Sequence, residues 1–570
     1  ANKMRSKIEA NEYKDYLLGL IFYKFLSDNE AEYILKDMKG ASEEEKQAAL
    51  ESLKEDYDDE NSKVIIDYCR NNIGYFIEYK NLFSTWLLPD SNFSVSDLSV
   101  ALNSFDRQVS TNYKAVYDGI FKTLQAGLSK LGENPASQTR AVKDLIKLIK
   151  DIPVNRSQDY DVLGYVYEYL IGNFAANAGK KAGEFYTPHE VAILMSEIVA
   201  EHHKDKRQIE IYDPTSGSGS LLITIGKSVG RHIADKNRVK YYAQELKENT
   251  YNLTRMNLVM RGIQPSNINT RCADSLDEDW PISKSGSEIG MPLYVDAVVS
   301  NPPYSQQWDP KDRENDARFK NYGVAPKSKA DYAFLLHIIQ SLKSQGRAAC
   351  ILPNGVLFRG NEEEKIRKKL IERRVIRGII SLPSNLFFGT GIPACIIIID
   401  KAKTNSTKGI FMIDARNGFT KDGAKNRLRE QDIRRIYDTW DILETLEAEN
   451  KLDDSEIVPH FARFVPYTEI CNERNDGNLN VSRYVTPEDT EVHHDIYAHL
   501  NLNGGLPAHD VDEGLAYVWH HCPTLKAELF APLCEGYYSL IGDKKRIGEV
   551  INANQEFCEL SGHFSAAVEE

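Results

Sequence analysis

Asn301-Pro302-Pro303-Tyr304 follows directly on the apolar run Val295-Asp296-Ala297-Val298-Val299-Ser300. An apolar, β-branched run reads as a buried strand. Two consecutive prolines end it, since neither donates to a ladder and each restricts its neighbour. The result is a stiff corner at the C-terminal end of a strand, where ligands bind in open α/β sheets. One amide and one aromatic ring held side by side suit a planar base that carries an amino group.

Further groups able to do chemistry lie upstream. Asp213-Pro214-Thr215-Ser216-Gly217-Ser218-Gly219-Ser220 links an apolar segment to an apolar helix start. Gly217 and Gly219 let the backbone approach a ligand closely. No Lys-Ser/Thr pair follows them, so the turn is not a phosphate-binding P-loop, and the full Gly-x-Gly-x-x-Gly spacing is absent. Alone, such a turn is as readily a tight bend as a binding loop. Its acidic neighbours change that. Asp213, Glu245 and Asp274 stand at the ends of three successive predicted strands, and an acid ending the second strand is placed to accept ribose hydroxyls. Gly183-Glu184-Phe185-Tyr186-Thr187-Pro188-His189 precedes a further apolar helix, with Thr187 and Pro188 suited to its start.

Strands are predicted at 208–212, 239–244, 267–271, 295–300, 346–352, 375–382, 394–400 and 409–413. Helical stretches separate the early ones, as in a doubly wound, mostly parallel sheet. The eleven residues between Leu382 and Ala394 include Pro383, Gly389, Gly391 and Pro393, which leaves little room for a helical crossover. The last strands should therefore pair antiparallel. Residues 1–155 read as an α-helical domain, including a helix through Tyr13, Leu17, Ile21 and Phe25 that is apolar on most of its circumference. Residues 156–485 form the α/β domain. Residues 486–570 read as a loop and two or three helices, a length suited to docking a partner.

The 570 residues exceed one compact core. The eight cysteines form no C-x-x-C pair, no segment is apolar enough to span a bilayer, and no signal-type core follows the N-terminus, which together imply a cytoplasmic protein. Three adjacent histidine pairs lack carboxylates at metal-ligand spacing, and no metal is expected. The net charge of −14 opposes DNA binding by the average surface. Basic clusters at 365–377 and 421–435 look helical with interleaved acids, and read as solvated helix faces.

The order 183–188, 213–219, 301–304 resembles the γ-type amino-methyltransferases of DNA. Three further segments sharpen the likeness: Phe22-Tyr23-Lys24-Phe25-Leu26-Ser27, the stretch 382–393, and Asn478-Leu479-Asn480-Val481-Ser482-Arg483-Tyr484. With them the chain resembles the modification (HsdM-type) subunits of type I restriction-modification systems. The resemblance implies a class I methyltransferase (Rossmann-like) seven-stranded mixed sheet with an N-terminal helical domain and a C-terminal helical tail. It implies S-adenosyl-L-methionine lined by Glu184, Phe185, Tyr186, Thr187, Pro188, His189, Asp213, Ser216, Gly217, Ser218, Gly219, Ser220 and Glu245, with Asp274 on the adenine ring. His189 departs from the longer basic residue of many relatives. Asn301, Pro302, Pro303 and Tyr304 would receive a flipped-out adenine of double-stranded DNA, with Tyr304 stacking on it and Phe387 or Phe388 as the opposite wall; plain packing of those two phenylalanines is an equal reading. The motif holds no cysteine nucleophile, which argues against methylation of cytosine carbon 5. The implied partners are a specificity subunit, with two modification subunits for each, and a restriction subunit. A solitary methyltransferase of adenine or cytosine amino groups is the alternative.

Overall fold

The computed structural model describes residues 10–36, 42–52, 62–152, 187–233, 235–277, 292–387, 390–423, 425–452, 456–486 and 495–569. Glu184, Phe185, Tyr186 and Phe388 lie outside them. The chain divides into two units, Ala1–Pro487 and Glu488–Glu570.

All eight predicted strands form in the first unit: β1 Ile209–Asp213, β2 Val239–Glu245, β3 Ile268–Cys272, β4 Val295–Ser300, β5 Leu342–Pro353, β6 Ile376–Ser381, β7 Ala394–Asp400 and β8 Gly409–Asp414. A small hairpin follows, β9 Thr420–Asp422 and β10 Lys425–Arg427, and then β11 Glu456–Val458 and β12 Ala462–Pro466. The large sheet has ten strands in the order β11-β12-β8-β6-β7-β5-β4-β1-β2-β3. The expected seven are present as the contiguous block β6-β7-β5-β4-β1-β2-β3. The count is corrected upward because β8 adds parallel to β6, and β12 and β11 then extend that edge antiparallel. The β11–β12 pair is short and closed by Pro466, a signal too weak to read as strand.

As the short 382–394 connection requires, β7 runs antiparallel between β5 and β6. All the residues of β4, β6, β7 and β8 are buried. Strands covered by helices on both faces read as continuous apolar runs, and Ala394-Cys395-Ile396-Ile397-Ile398-Ile399-Asp400 is such a run.

The helix Ala10–Ile34 buries Leu17, Ile21, Phe22, Tyr23, Phe25 and Leu26. Its core is continuous with the sheet face that buries Ile211, Leu222 and Met256. Arg255 of the helix Glu248–Met260 donates to the carbonyls of Val116 (3.1 Å) and Asp118 (3.0 Å). It thereby fastens the N-terminal helices to the side of the sheet that carries β2 and β3.

On the opposite side, ion pairs hold the helix Glu430–Ala448 to the strands. Arg347 of β5 reaches Asp400 of β7 at 2.7 Å and Glu444 at 2.6 Å, and Arg377 of β6 reaches Glu447 at 2.7 Å. Both guanidinium groups are 1% exposed. Carboxylates beside Arg347 offset its burial and keep it firmly charged.

The second unit is expected from its sequence to be helical. It has helices, among them Ile496–Asn501, Pro523–Leu529 and Gln555–Glu569, and also a three-stranded antiparallel sheet. The sheet's strands are β13 Leu506–Pro507, β14 Phe530–Cys534 and β15 Tyr537–Leu540. They are two to five residues long and only partly buried, so no alternation reveals them.

Arg347→Leu should lower the stability of the full chain by about 3–5 kcal/mol, because it leaves buried carboxylates without their cation. Urea unfolding measures this. A loss below about 1 kcal/mol, the range of exposed pairs, would mean that the network contributes no more than surface charge does.

Candidate active site

Strand β1 pairs in parallel with β2 on one side and β4 on the other. The chain thus reverses its direction of travel across the sheet beside β1, and the carboxyl ends of β1, β2 and β4 stand where open α/β sheets take their ligands. Asp213 and Glu245 are the last residues of β1 and β2, Asp274 lies two past β3, and Asn301 directly follows β4.

The glycine turn depends on positive backbone angles: φ is +54° at Gly217 and +79° at Gly219. A Cβ on Gly217 would point into open space, with Thr215 O at 4.0 Å as its nearest neighbour. The loop is held from both sides. Gly217 N–H donates to Glu245 Oε2 at 2.9 Å, and Ser216 N–H to the Gln244 carbonyl at 3.0 Å. From the helix Glu248–Met260, Thr254 Oγ1 donates to Gly217 O at 2.8 Å and Asn257 Nδ2 to Ser218 O at 3.0 Å. Sequence reading missed this cradle. Its signal is a polar pair at i, i+3 inside a helix whose neighbours Leu253, Met256, Leu258 and Val259 are buried. Ser218 and Ser220 bond each other at 2.8 Å.

Short bonds then join the separate motifs. Thr215 donates its N–H to Asp213 Oδ1 at 3.0 Å, and its hydroxyl lies 2.8 Å from Ser300 Oγ. One residue on, Asn301 Nδ2 donates to Thr187 Oγ1 at 2.9 Å, which brings Thr187 onto the Asn-Pro-Pro-Tyr corner. Thr187 thus bonds Asn301 instead of capping; the cap of the helix His189–His202 is Pro188, without a side-chain bond. Asp274 Oδ1 accepts Leu276 N–H at 2.8 Å, and Ser275 Oγ donates to Pro214 O at 2.5 Å.

A buried relay supports the three acids from behind. Arg318 donates to the carbonyls of Ser275 (3.0 Å) and Leu276 (2.8 Å) and to His337 Nδ1 (3.3 Å). Because arginine can only donate, His337 Nδ1 accepts and Nε2 carries the proton toward Tyr212 Oη, 3.0 Å away. Tyr212 Oη donates in turn to Gln244 Oε1 at 3.1 Å. Burial and the Arg318 charge push His337 down to about 3, so it stays neutral. Tyr212 and Gln244 directly precede Asp213 and Glu245. None of this relay is readable from the sequence, because its members are far apart in the chain.

Asp213 is wholly buried, and its Oδ2 has no hydrogen-bond partner among the described residues. Burial, opposed by the Thr215 N–H and helped by the like charge of Glu245, raises its carboxyl to about 7. A buried acid one oxygen short of a partner is a site for a cationic group.

Tyr304 and Phe387 come together, but edge to face, with ring centroids 6.0 Å apart at 77°. Both rings are buried rather than facing each other across a gap. Burial holds the Tyr304 phenol well above its usual range, hence neutral. The following residue, Ser305, has φ +51° and donates its N–H to Asp331 Oδ1 at 2.7 Å. Asp331 is buried and paired with Arg359 at 2.7 Å, so the corner rests on a fixed charge. Leu246, next to Glu245, is 54% exposed; a large apolar side chain at a strand end beside the glycine loop offers a planar ligand a surface to lie on.

Residues 158–493 match the family model for N-6 DNA methylases, and residues 1–149 that for the HsdM N-terminal domain. The methylase subunit of the type I restriction enzyme MpnII of Mycoplasma pneumoniae is 33% identical over 513 residues, 87% of this chain and 89% of that one. The MjaIX methylase subunit of Methanocaldococcus jannaschii is 28% identical, over 85% and 82% of the two chains. A solved type I restriction-modification methyltransferase subunit from Streptococcus thermophilus is similar with a TM-score of 0.74 and 37% identity, covering 86% of this chain and 98% of that one. With the motifs gathered at the switch point and both family models matched in chain order, this chain belongs to the type I restriction-modification methylase subunits and is an adenine-N6 DNA methyltransferase.

Proposed function

We propose that this chain binds S-adenosyl-L-methionine in the crevice beside β1 and methylates an adenine flipped out of double-stranded DNA. The observation that carries this reading is the run of bonds Glu245–Gly217, Asp213–Thr215–Ser300 and Asn301–Thr187, which joins a glycine loop, its acids and an amide corner into one cleft. The cofactor, when bound, supplies a methyl group on a positively charged sulfur. Gly217 and the residues through Ser220 admit it closely, Glu245 is placed for ribose hydroxyls, Asp274 for the adenine amine, and the buried Asp213 carboxylate for its cationic end. Thr187, Pro188 and His189 close the upstream side.

An adenine amino group is a weak nucleophile because its lone pair is delocalised into the ring. The Asn301 side-chain oxygen and the Pro302 carbonyl accept its two N–H bonds, which favours a lone pair localised toward the methyl donor. Thr187 takes the Asn301 Nδ2 donor and so orients the amide. Positioning and electrostatics then supply the catalysis, with no strong base required. Tyr304 stacks on the base, with Phe387 or Phe388 as the opposite wall; stacking contributes roughly 1–3 kcal/mol per base.

The reading extends to partners. The chain acts with a specificity subunit that supplies most of the DNA affinity, two copies to each, and with a restriction subunit. The acidic balance supports borrowed affinity. The second unit suits docking: its core is Cys522, Leu525 and Leu529, while Ile496, Tyr497, Leu500 and Tyr517 are exposed. All eight cysteines are free, consistent with work in the cytoplasm, and no helix among the described residues is long and apolar enough to cross a membrane.

Asn301→Ala should abolish methyl transfer while cofactor binding, read by calorimetry, persists; retained activity, or loss of both, would sink the role given to the amide. Methyl incorporation into unmethylated duplex DNA should require the copurified specificity subunit, and full activity of the chain alone would overturn the partnership. Cofactor affinity should also depend on pH. Below about 7 the unliganded Asp213 holds a proton, and a cationic ligand selects its carboxylate. The affinity should therefore rise about tenfold per pH unit up to that value and level off above it. Below that value one proton should be released on binding, and Asp213→Asn should bind weakly with a flat profile. A wild-type profile flat from about pH 6 to 8 would exclude Asp213 as the cation's partner.

A further inference from the structure

A chain with 70 basic and 84 acidic residues repels DNA on average, so a local reversal of charge beside the cleft is informative. Between Phe419 and Arg429 stand four basic residues, Lys421, Lys425, Arg427 and Arg429, and one acid, Asp422. Read as a solvated helix face, this segment is instead the antiparallel hairpin β9–β10, turning through Gly423 at φ +60°, and the helix begins only at Glu430. The correction has a physical cause: a glycine in the left-handed region closes a turn and interrupts any helix through it.

The position of the hairpin follows from topology. It leaves the carboxyl end of β8, which runs parallel to β6, and so emerges on the sheet edge that carries Asp213 and Asn301. Asn426 bolts it there. The Asn426 N–H donates to Asn385 O at 2.9 Å, and Nδ2 to Ser384 O at 2.8 Å. That loop carries Phe387, the ring in contact with Tyr304. On the other side, Arg427 Nε lies 3.9 Å from Glu190, in the first turn of the helix that follows Thr187. The hairpin therefore touches both walls of the cleft.

Cross-strand register sets Lys421 opposite Asn426, with Lys425 and Arg427 on the other face. Asn426 is buried, Lys421 and Arg427 are exposed, and Lys425 is half-buried. Arg429 is held by Asp432 at 2.8 Å and belongs to the helix start. Lys421 and Arg427 are thus exposed at the rim of the base-binding corner, on opposite faces of a rigidly attached arm, while Lys425 is half-buried across from Asp422.

Resting on the reading above, we propose that β9–β10 is a phosphate-gripping arm, in which the exposed Lys421 and Arg427 engage the backbone of duplex DNA beside the adenine to be methylated. Duplex DNA is favoured over an acidic protein because the arm is anchored to the two walls that the base itself must pass. Backbone interactions of this kind position the duplex without reading its sequence.

The test compares wild type with K421A/R427A, each as the full chain with its specificity subunit, on unmethylated bacteriophage genomic DNA over a range of NaCl. Removing one cation from a phosphate should reduce the slope of log affinity against log salt by about 0.9, so the slope should fall by roughly 2 and the KM for DNA should rise about tenfold near physiological salt. Cofactor affinity should stay within about twofold, since the arm touches no cofactor residue, and K421R/R427K should restore the slope because it restores the charge. An unchanged slope would overturn the proposal. So would an unchanged slope with loss of the specificity subunit on size-exclusion chromatography, which would make the arm a site for protein rather than DNA. If the double variant loses cofactor binding, Lys421→Ala carries the test, with an expected fall in slope of about 0.9. A wild-type complex that methylates no DNA would refute the proposed function instead, and the inference with it.

Discussion

The site depends on the parallel pairing of β1 with both β2 and β4. This single constraint sets the ends of three strands side by side, although their residues lie as much as 88 positions apart in the chain (Asp213 to Asn301). The bond between the hydroxyls of Thr215 and Ser300 closes the seam. Everything proposed for the cleft assumes that this seam holds: the glycine loop lies on one side of it, the amide corner on the other. A register slip of one residue in β4 would turn Ser300 away and carry Asn301 with it.

The interior around the cleft is unusually polar for a sheet buried on both faces. Arg318, His337, Tyr212 and Gln244 form one hydrogen-bonded series, and Asp331 with Arg359 forms another beneath Ser305. Buried polar groups are costly unless satisfied, and satisfied networks rigidify their surroundings. The series ends on the residues next to Asp213, Glu245 and Asp274, so its stiffness is delivered to the three acids. Asp213 is the exception. Its Oδ2 is buried without a partner among the described residues, and burial raises its carboxyl to about 7. Such a group is tolerated where a ligand completes it.

Legibility followed the range of the interactions. Every predicted strand of the sheet forms because buried strands advertise themselves as apolar, β-branched runs, and 295–300 and 394–400 agree to the residue. The antiparallel β6–β7 return was legible from the shortness of its connection. The weak edge pair β11–β12, the short strands of the second unit and the β9–β10 hairpin were not, since partly buried segments of two to five residues carry little periodic signal. Thr254, Asn257, Arg318 and His337 were missed for a different reason. Each acts on a residue distant in sequence, and a polar side chain inside a helix or loop is by itself indistinguishable from a solvated one.

By itself the sequence determined which residues lie at strand ends, that the sheet is mostly parallel with one antiparallel return, and that an amide and a ring stand together at a proline-locked corner. These are local consequences of hydrophobic periodicity, proline geometry and loop length. Only the tertiary structure decided that Asn301 bonds Thr187, that Glu245 holds Gly217, that Tyr304 and Phe387 meet edge to face, and that a basic hairpin is bolted beside them. Those outcomes depend on how strands order in the sheet and how side chains share buried space, which no single stretch of chain encodes.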